Sequence, residues 1–208
     1  MLRQDRTFGL AGSSPGSLEG IMVTTVDSPA VGGLAPALRR LYFVRFAFAI
    51  VWAILVFLTT KSGLGAVGAV LVVVYPLFDL GSAVVDARSA KGNGSVRGLY
   101  VNMVISLLAT IGVGVAAASG IPAVLRVWGA WAIVAGLVQL IVGVIRRKMG
   151  GQWPMILSGG ISVLAGANFI IGASGANPSL THVAGYAVLG GIFFLVSAIR
   201  LGRAAQGN

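Results

Sequence analysis

Six apolar segments, each about 20 residues long, dominate the sequence and limit the folds that it can adopt. They cover about residues 41–60, 64–85, 99–118, 123–145, 153–173 and 183–201. A helix rises about 1.5 Å per residue, so each segment can cross the roughly 30 Å hydrocarbon core of a bilayer. Membrane strands need only about 10 residues with strict alternation, and these segments do not alternate. The pattern predicts an all-α membrane protein with six transmembrane helices.

The composition supports a lipid bilayer as the main partner and argues against nucleic acid. The chain is 57% hydrophobic and 10% charged, whereas a soluble domain carries about 25% charged residues. Its net charge of +10 comes from Lys and Arg residues that lie between the apolar segments, which is the membrane pattern. With no cysteine and one histidine, the chain lacks the usual ligand clusters for zinc, iron–sulfur or haem. We therefore expect no cofactor and no metal.

The basic residues also predict the orientation of the chain. Twelve of them fall on one side of the six segments, at positions Arg3, Arg6, Arg39, Arg40, Arg88, Lys91, Arg97, Arg146, Arg147, Lys148, Arg200 and Arg203. The other side has only Lys61, with Arg126 just inside the fourth segment. By the positive-inside rule, both termini are predicted to be cytoplasmic.

Residues 1–38 differ from the rest of the chain. They are rich in Gly, Ser and Pro and lack a sustained apolar period, which predicts a disordered cytoplasmic tail. Residues 39–203 form the predicted transmembrane domain, and residues 204–208 a short C-terminal tail. The sequence leaves both Met1 and Met22 open as the biological start.

Internal similarity suggests how the helices are organised. The segment Val104–Gly112 resembles Gly160–Asn168, and Trp128–Ile145 resembles Val183–Arg200, with spacings of 56 and 55 residues. Such a period indicates a repeated unit. Two crossings per unit predict three consecutive helical hairpins that share one orientation.

Small residues recur within this repeat at heptad spacing. Gly129, Gly136 and Gly143 lie on one helix face, and we assign a helix-packing role to them and to Gly159, Gly166 and Gly191. Small residues let membrane helices approach closely. The alternative is a glycine track that lines a narrow solute path.

These residues also carry a family resemblance. The segment "VWGAWAIVAGLVQLIVGVIRRKMGGQWPMILSGGISVLAGANFIIGA" closely resembles the HdeD-like family of small bacterial membrane proteins, which is grouped under a domain of unknown function. The shared features are the glycine-spaced helix, the basic loop Arg146–Lys148, Trp153 and the pair Gly159 and Gly166. The likeness covers about residues 40–203. It implies a multi-pass protein of the bacterial inner membrane, associated with acid and envelope stress, and it supplies no catalytic residues.

Two opposite charges are predicted to lie at similar depth inside the membrane. Arg45 sits in the first segment and Asp79 in the second, which runs the other way. An intramembrane charge needs a partner or a water-filled cavity, so Arg45 and Asp79 form a candidate ion pair. The pair is either structural or part of a gated proton or ion site, or the two side chains do not touch. Asp86, seven residues beyond Asp79, is expected to be a solvated boundary charge near Arg88 or Arg146.

The remaining polar residues give weaker signals. Gln139, Asn102 and Asn168 are typical of amides that bridge membrane helices. His182, at the mouth of the sixth segment, is a candidate pH sensor because histidine changes charge between about pH 5 and 8. The leading hypothesis is a non-enzymatic stress-tolerance protein. The alternative is a small transporter or channel, with protons among the candidate coupling ions, that uses Arg45 and Asp79. A homo-oligomer, and a small solute or proton as ligand, stay open.

Overall fold

A computed structural model describes residues 31–89, 97–145, 147–149 and 152–204 of the chain. Within these ranges the protein consists of helices, without strands. The six α-helices are α1 (Val31–Thr59), α2 (Ala66–Ser89), α3 (Arg97–Ala117), α4 (Ile121–Ile145), α5 (Trp153–Gly172) and α6 (Thr181–Ala204), and one 3₁₀ turn, Arg147–Met149, follows α4. The predicted all-α architecture with six long helices is confirmed.

All six helices are long and apolar enough to cross a membrane, from Pro36–Thr59 in α1 to Thr181–Arg203 in α6. Many of their large apolar side chains point outward. Val115, Leu164 and Ile171 are each more than 70% exposed. An apolar surface of this extent is unfavourable in water and favourable in lipid.

Short turns with glycine connect two of the helix pairs. Gly63, between α1 and α2, has φ of 121°, and Gly120, between α3 and α4, has φ of 84°. Side chains disfavour such left-handed backbone, whereas glycine adopts it readily. At the start of α5, Pro154 lies in the first turn, where its missing amide hydrogen leaves no helical bond unmade.

The helices form a closed ring in which each contacts the next and α1 contacts α6. The most extensive contacts join α4 to α5, α1 to α6 and α2 to α3. The three hairpins of the sequence repeat, α1–α2, α3–α4 and α5–α6, have smaller interfaces. The closest packing therefore pairs the helices differently from the repeat.

The two ends of the bundle differ in charge. The basic end, as we call it, carries eight exposed cations among the described residues: Arg39, Arg40, Arg88, Arg97, Arg147, Lys148, Arg200 and Arg203. The opposite end carries Lys61 and Arg126. The buried core lies mainly in the half near the opposite end, where Trp52, Val56, Val72, Val113, Val124, Leu125, Trp128, Leu180 and Val183 pack together.

The first helix differs from its predicted bounds. It begins at Val31, so residues 31–38 are helical and not part of a disordered tail. A helix that the membrane already stabilises extends at little cost, because nucleation and not propagation is unfavourable. The rest of the predicted tail, residues 1–30 with Met22, lies outside the described residues, as do residues 205–208.

Candidate functional site

Arg45 of α1 lies between two aspartates of α2 and forms ion pairs with both. Its Nη2 contacts Oδ1 of Asp79, and its Nη1 donates to Oδ2 of Asp86 at 3.4 Å. Seven residues make about two helical turns, so the two aspartates lie on the same face of α2. All three residues fall inside the apolar spans Pro36–Thr59 and Ala66–Arg88. The structure thus brings Arg45 and Asp79 together and adds Asp86 to them.

The third helix completes the surroundings of Asp79. Asp79 Oδ2 accepts a hydrogen bond from Ser106 Oγ at 2.7 Å and another from Asn102 Nδ2 at 3.1 Å. Asn102 and Ser106 are four residues apart and therefore lie on one face of α3. Ser106 is fully buried. Asp79 consequently receives three side-chain donors from two helices.

The other face of the Arg45 guanidinium is covered by α6. Its central carbon lies 4.1 Å from the centre of the Phe194 ring, a geometry that favours a cation over an aromatic face. The same ring packs against Tyr42 of α1, with 5.8 Å between centroids. Four helices, α1, α2, α3 and α6, therefore hold this charge cluster, defined as Arg45, Asp79, Asp86, Asn102 and Ser106.

The two aspartates have unequal environments. Asp86 is only 12% exposed, and its Oδ1 is buried with no hydrogen-bond partner among the described residues. The expectation of a solvated boundary charge was therefore wrong. Asp86 shares the inward face of α2 with Asp79, whereas Arg88, two residues further, is rotated by about 200° and is exposed.

Between the charge cluster and the opposite end of the bundle, aromatic residues fill the space between the helices. Trp52, Tyr75 and Trp128 contact one another with centroid separations of 4.6 to 5.4 Å, and Trp131 lies 5.0 Å from Trp128. Tyr75 is one turn before Asp79 in α2. Pro76 follows it and lacks the amide hydrogen that would reach the carbonyl of Val72. Nearby, Trp52 Nε1 donates to the carbonyl of Leu71 at 2.6 Å.

The six glycines assigned to packing lie at helix contacts. A Cβ at Gly129 would be 2.6 Å from the carbonyl oxygen of Gly166, and one at Gly136 would be 2.7 Å from that of Gly159. At Gly143 the nearest atom would be Ile156 Cγ1, at 2.8 Å. These contacts join α4 to α5 and occupy the space that a solute path along this face would need. Gly191 instead faces α1, because its Cβ would be 3.1 Å from that of Ala49.

His182 is far from the charge cluster in the fold. It is exposed at the opposite end and lines a small cavity of about 50 Å³ together with Asn168, Asn177 and Ser179. Gln139 lies near Ser158 of α5, whose hydroxyl donates to it at 3.5 Å. The structure does not bring His182 or Gln139 to Arg45 and Asp79.

Three members of the site were missed from the sequence. Asp86 was assigned to water, and Ser106 and Phe194 were not singled out. Ser106 had a usable signal, because it lies one turn from Asn102 on an otherwise apolar helix. Phe194 had none, since an aromatic residue in a membrane span is ordinary.

Six apolar spans, four of which hold an inward-facing charge cluster, define a multi-pass membrane protein whose outer surface contacts lipid. The described residues contain no group of three or more His, Cys, Asp or Glu that could hold a metal ion. Comparisons with protein-family models, with curated proteins and with solved structures find no match for this chain. Its function must therefore be inferred from the chemistry of the charge cluster.

Proposed function

We propose that the protein is a proton-responsive, non-enzymatic protein of the bacterial inner membrane, of HdeD-like type, which contributes to acid or envelope stress tolerance. The observation that carries the proposal is that one arginine faces two carboxylates inside the membrane spans. A guanidinium keeps its charge at every physiological pH, whereas a carboxylate can bind a proton. The charge of the cluster therefore follows the proton concentration.

The sign of that charge affects the packing of four helices. With both aspartates ionised the cluster has one excess negative charge, with one protonated it is neutral, and with both protonated it is positive. An unpaired charge away from water is costly, so the neutral form packs best. Acid that protonates Asp79 as well leaves Arg45 unpaired and weakens the contacts of α1 with α2 and α6.

The orientation belongs to the same proposal. The eight exposed cations of the basic end, against two at the opposite end, support a cytoplasmic basic end and hence cytoplasmic termini. Because the chain has no cysteine, single cysteines can be introduced at Lys148 and at Asn177. A membrane-impermeant maleimide added to intact spheroplasts should label the second and not the first. The reverse pattern would contradict the orientation.

Survival of acid tests the function itself. A strain lacking the protein is complemented with the wild type, with Asp79→Asn or with Asp86→Asn, at matched membrane levels. We expect the wild type to restore survival after acid shock and both variants to restore less. Gly160→Ala, which changes a helix position without close neighbours, is the matched control. Full survival with both aspartates replaced would contradict the proposal.

The excess carboxylate also favours a second candidate, a small proton-coupled transporter or channel. Intramembrane carboxylates are common members of proton relays. Proton flux into proteoliposomes, followed with an enclosed pH-sensitive dye, distinguishes the two. Flux above that of empty vesicles that falls in Asp79→Asn supports a pathway through the cluster. Equal flux in both proteins excludes Asp79 from any pathway.

A further inference from the structure

We infer that Asp86 is the proton-binding group of the charge cluster, and that it holds a proton while Asp79 remains ionised in its pair with Arg45. The inference rests on the proposed proton response and divides it between the two carboxyl groups. Asp86 already holds a proton at neutral pH, so the proton that acid adds goes to Asp79.

The hydrogen-bond donors around the two carboxylates differ in number and in distance. Asp79 accepts from Arg45, Ser106 and Asn102, and such donors stabilise a negative charge. Asp86 receives one long contact of 3.4 Å from Arg45, and its second oxygen is buried without a partner in the described part of the chain. Leaving a neutral carboxyl unpaired costs less than leaving a charged one unpaired. The proton therefore belongs on Asp86.

The charges that face Asp86 lead to the same assignment. Among the described residues, Arg45 and Asp79 are the charged groups that act on its carboxyl, and the Tyr42 hydroxyl of α1 is a neutral titratable group close to it. The third and sixth helices bring uncharged side chains to the cluster, those of Asn102, Ser106 and Phe194. Within the described residues, Arg45 is the only cation within ion-pair distance of either aspartate. With that single charge matched to Asp79, a proton on Asp86 makes the cluster neutral.

The position of Asp86 along α2 indicates from which side of the membrane this proton comes. Asp86 is about one turn from the end of α2 at Ser89, whereas Asp79 is about two turns deeper. In the other direction the core around Trp52, Tyr75 and Trp128 closes the bundle. A proton that exchanges with water therefore enters from the basic end and meets Asp86 before Asp79.

Infrared spectroscopy of the full-length protein in lipid vesicles tests the assignment. A protonated carboxyl group gives a C=O band that a carboxylate lacks, and the chain has only five Asp and Glu residues in all. We expect the wild type to show this band at neutral pH. Asp86→Glu should shift its frequency, Asp86→Asn should remove it, and Asp79→Glu should leave it in place. Circular dichroism and gel filtration verify that each variant is folded.

The inference is overturned if the wild type lacks the band at neutral pH, or if Asp79→Glu shifts it and Asp86→Glu does not. These failures differ from a failure of the proposed function. Loss of acid survival in the aspartate variants without a protonated band would leave the function standing and remove Asp86 as the carrier. A band that follows Asp86, with normal survival of both variants, would keep the proton site and remove the stress role.

Discussion

Two adjacent glycines of α5 offer a sharp test of how this bundle is held together. Gly159 faces α4, where an added Cβ would lie 2.7 Å from both the carbonyl oxygen of Gly136 and the backbone nitrogen of Leu140. Gly160 is the next residue, and a Cβ there would have no neighbour within 4 Å. Replacing each by alanine adds the same methyl group to the same helix. Only the methyl group added at Gly159 would contact the backbone of α4.

The expected difference follows from these distances. Ordinary contact begins near 3.4 Å, so Gly159→Ala requires α4 and α5 to separate by about 0.7 Å, which forfeits a quarter to a half of the attraction between the atoms concerned. Overpacking of this kind costs about 1–3 kcal/mol. Gly160→Ala should be neutral or stabilising by up to about 1 kcal/mol, because alanine favours the helix. Because the helix gain of alanine applies to both positions, the two variants should differ by the overpacking cost, about 1–3 kcal/mol in free energy of unfolding.

The free energy of unfolding is measured by titrating the purified protein with sodium dodecyl sulfate in mixed micelles and following its helical signal. Both variants are prepared in parallel with the wild type. A difference below about 0.5 kcal/mol, which is ordinary for unconstrained surface changes, would show that the glycine contact between α4 and α5 does not stabilise the bundle.

Three further predictions concern the polar residues. Arg45→Gln and Asp79→Asn should each lower the free energy of unfolding by about 3 kcal/mol, and the double variant should lose clearly less than the sum of the two. Additive losses in the same titration would rule out the ion pair. Ser106→Ala should lower the free energy of unfolding by about 1–2 kcal/mol, because Asp79 loses its shortest hydrogen-bond donor from α3. Ser106→Thr keeps the hydroxyl and should lower it by less. Equal losses in the two variants would indicate that Ser106 acts through packing and not through its hydrogen bond. His182→Ala should leave acid survival unchanged, since His182 is exposed at the end away from the cluster, and a lost response would make it a sensor after all.

Hydropathy alone was sufficient to find six helices, because a bilayer requires each span to be long, apolar and helical. It also placed Arg45 and Asp79 at one depth, since depth follows from distance along the helix. It could not show how far each helix is rotated about its axis. For that reason the contact of Phe194 with Arg45 had no trace in the sequence. Asp86 was assigned to water for another reason, its position near the end of the second segment, although its seven-residue spacing puts it on the same helix face as Asp79.

The sequence also could not predict which helices pack most closely against each other. In lipid, apolar faces do not drive helices together, and close packing depends on small residues and polar bonds. Glycines on α4 and α5 were visible, but nothing in either helix specifies which neighbour receives them. The repeat suggested hairpins, whereas the closest contacts run between them and around the ring. The early start of α1 was missed because its glycines and prolines resemble those of a loop.

The contact of α1 with α6 has a consequence for synthesis. Of the six helices, α1 is made first, but it can form its extensive contact with α6 only after α6 has been made. Until then the aromatic cover that Phe194 provides over Arg45 is missing, although Arg45 can already pair with Asp79 and Asp86 of α2. A chain that ends before α6 therefore has its intramembrane ion pair in place but open on the face of Arg45 that Phe194 covers in the complete bundle.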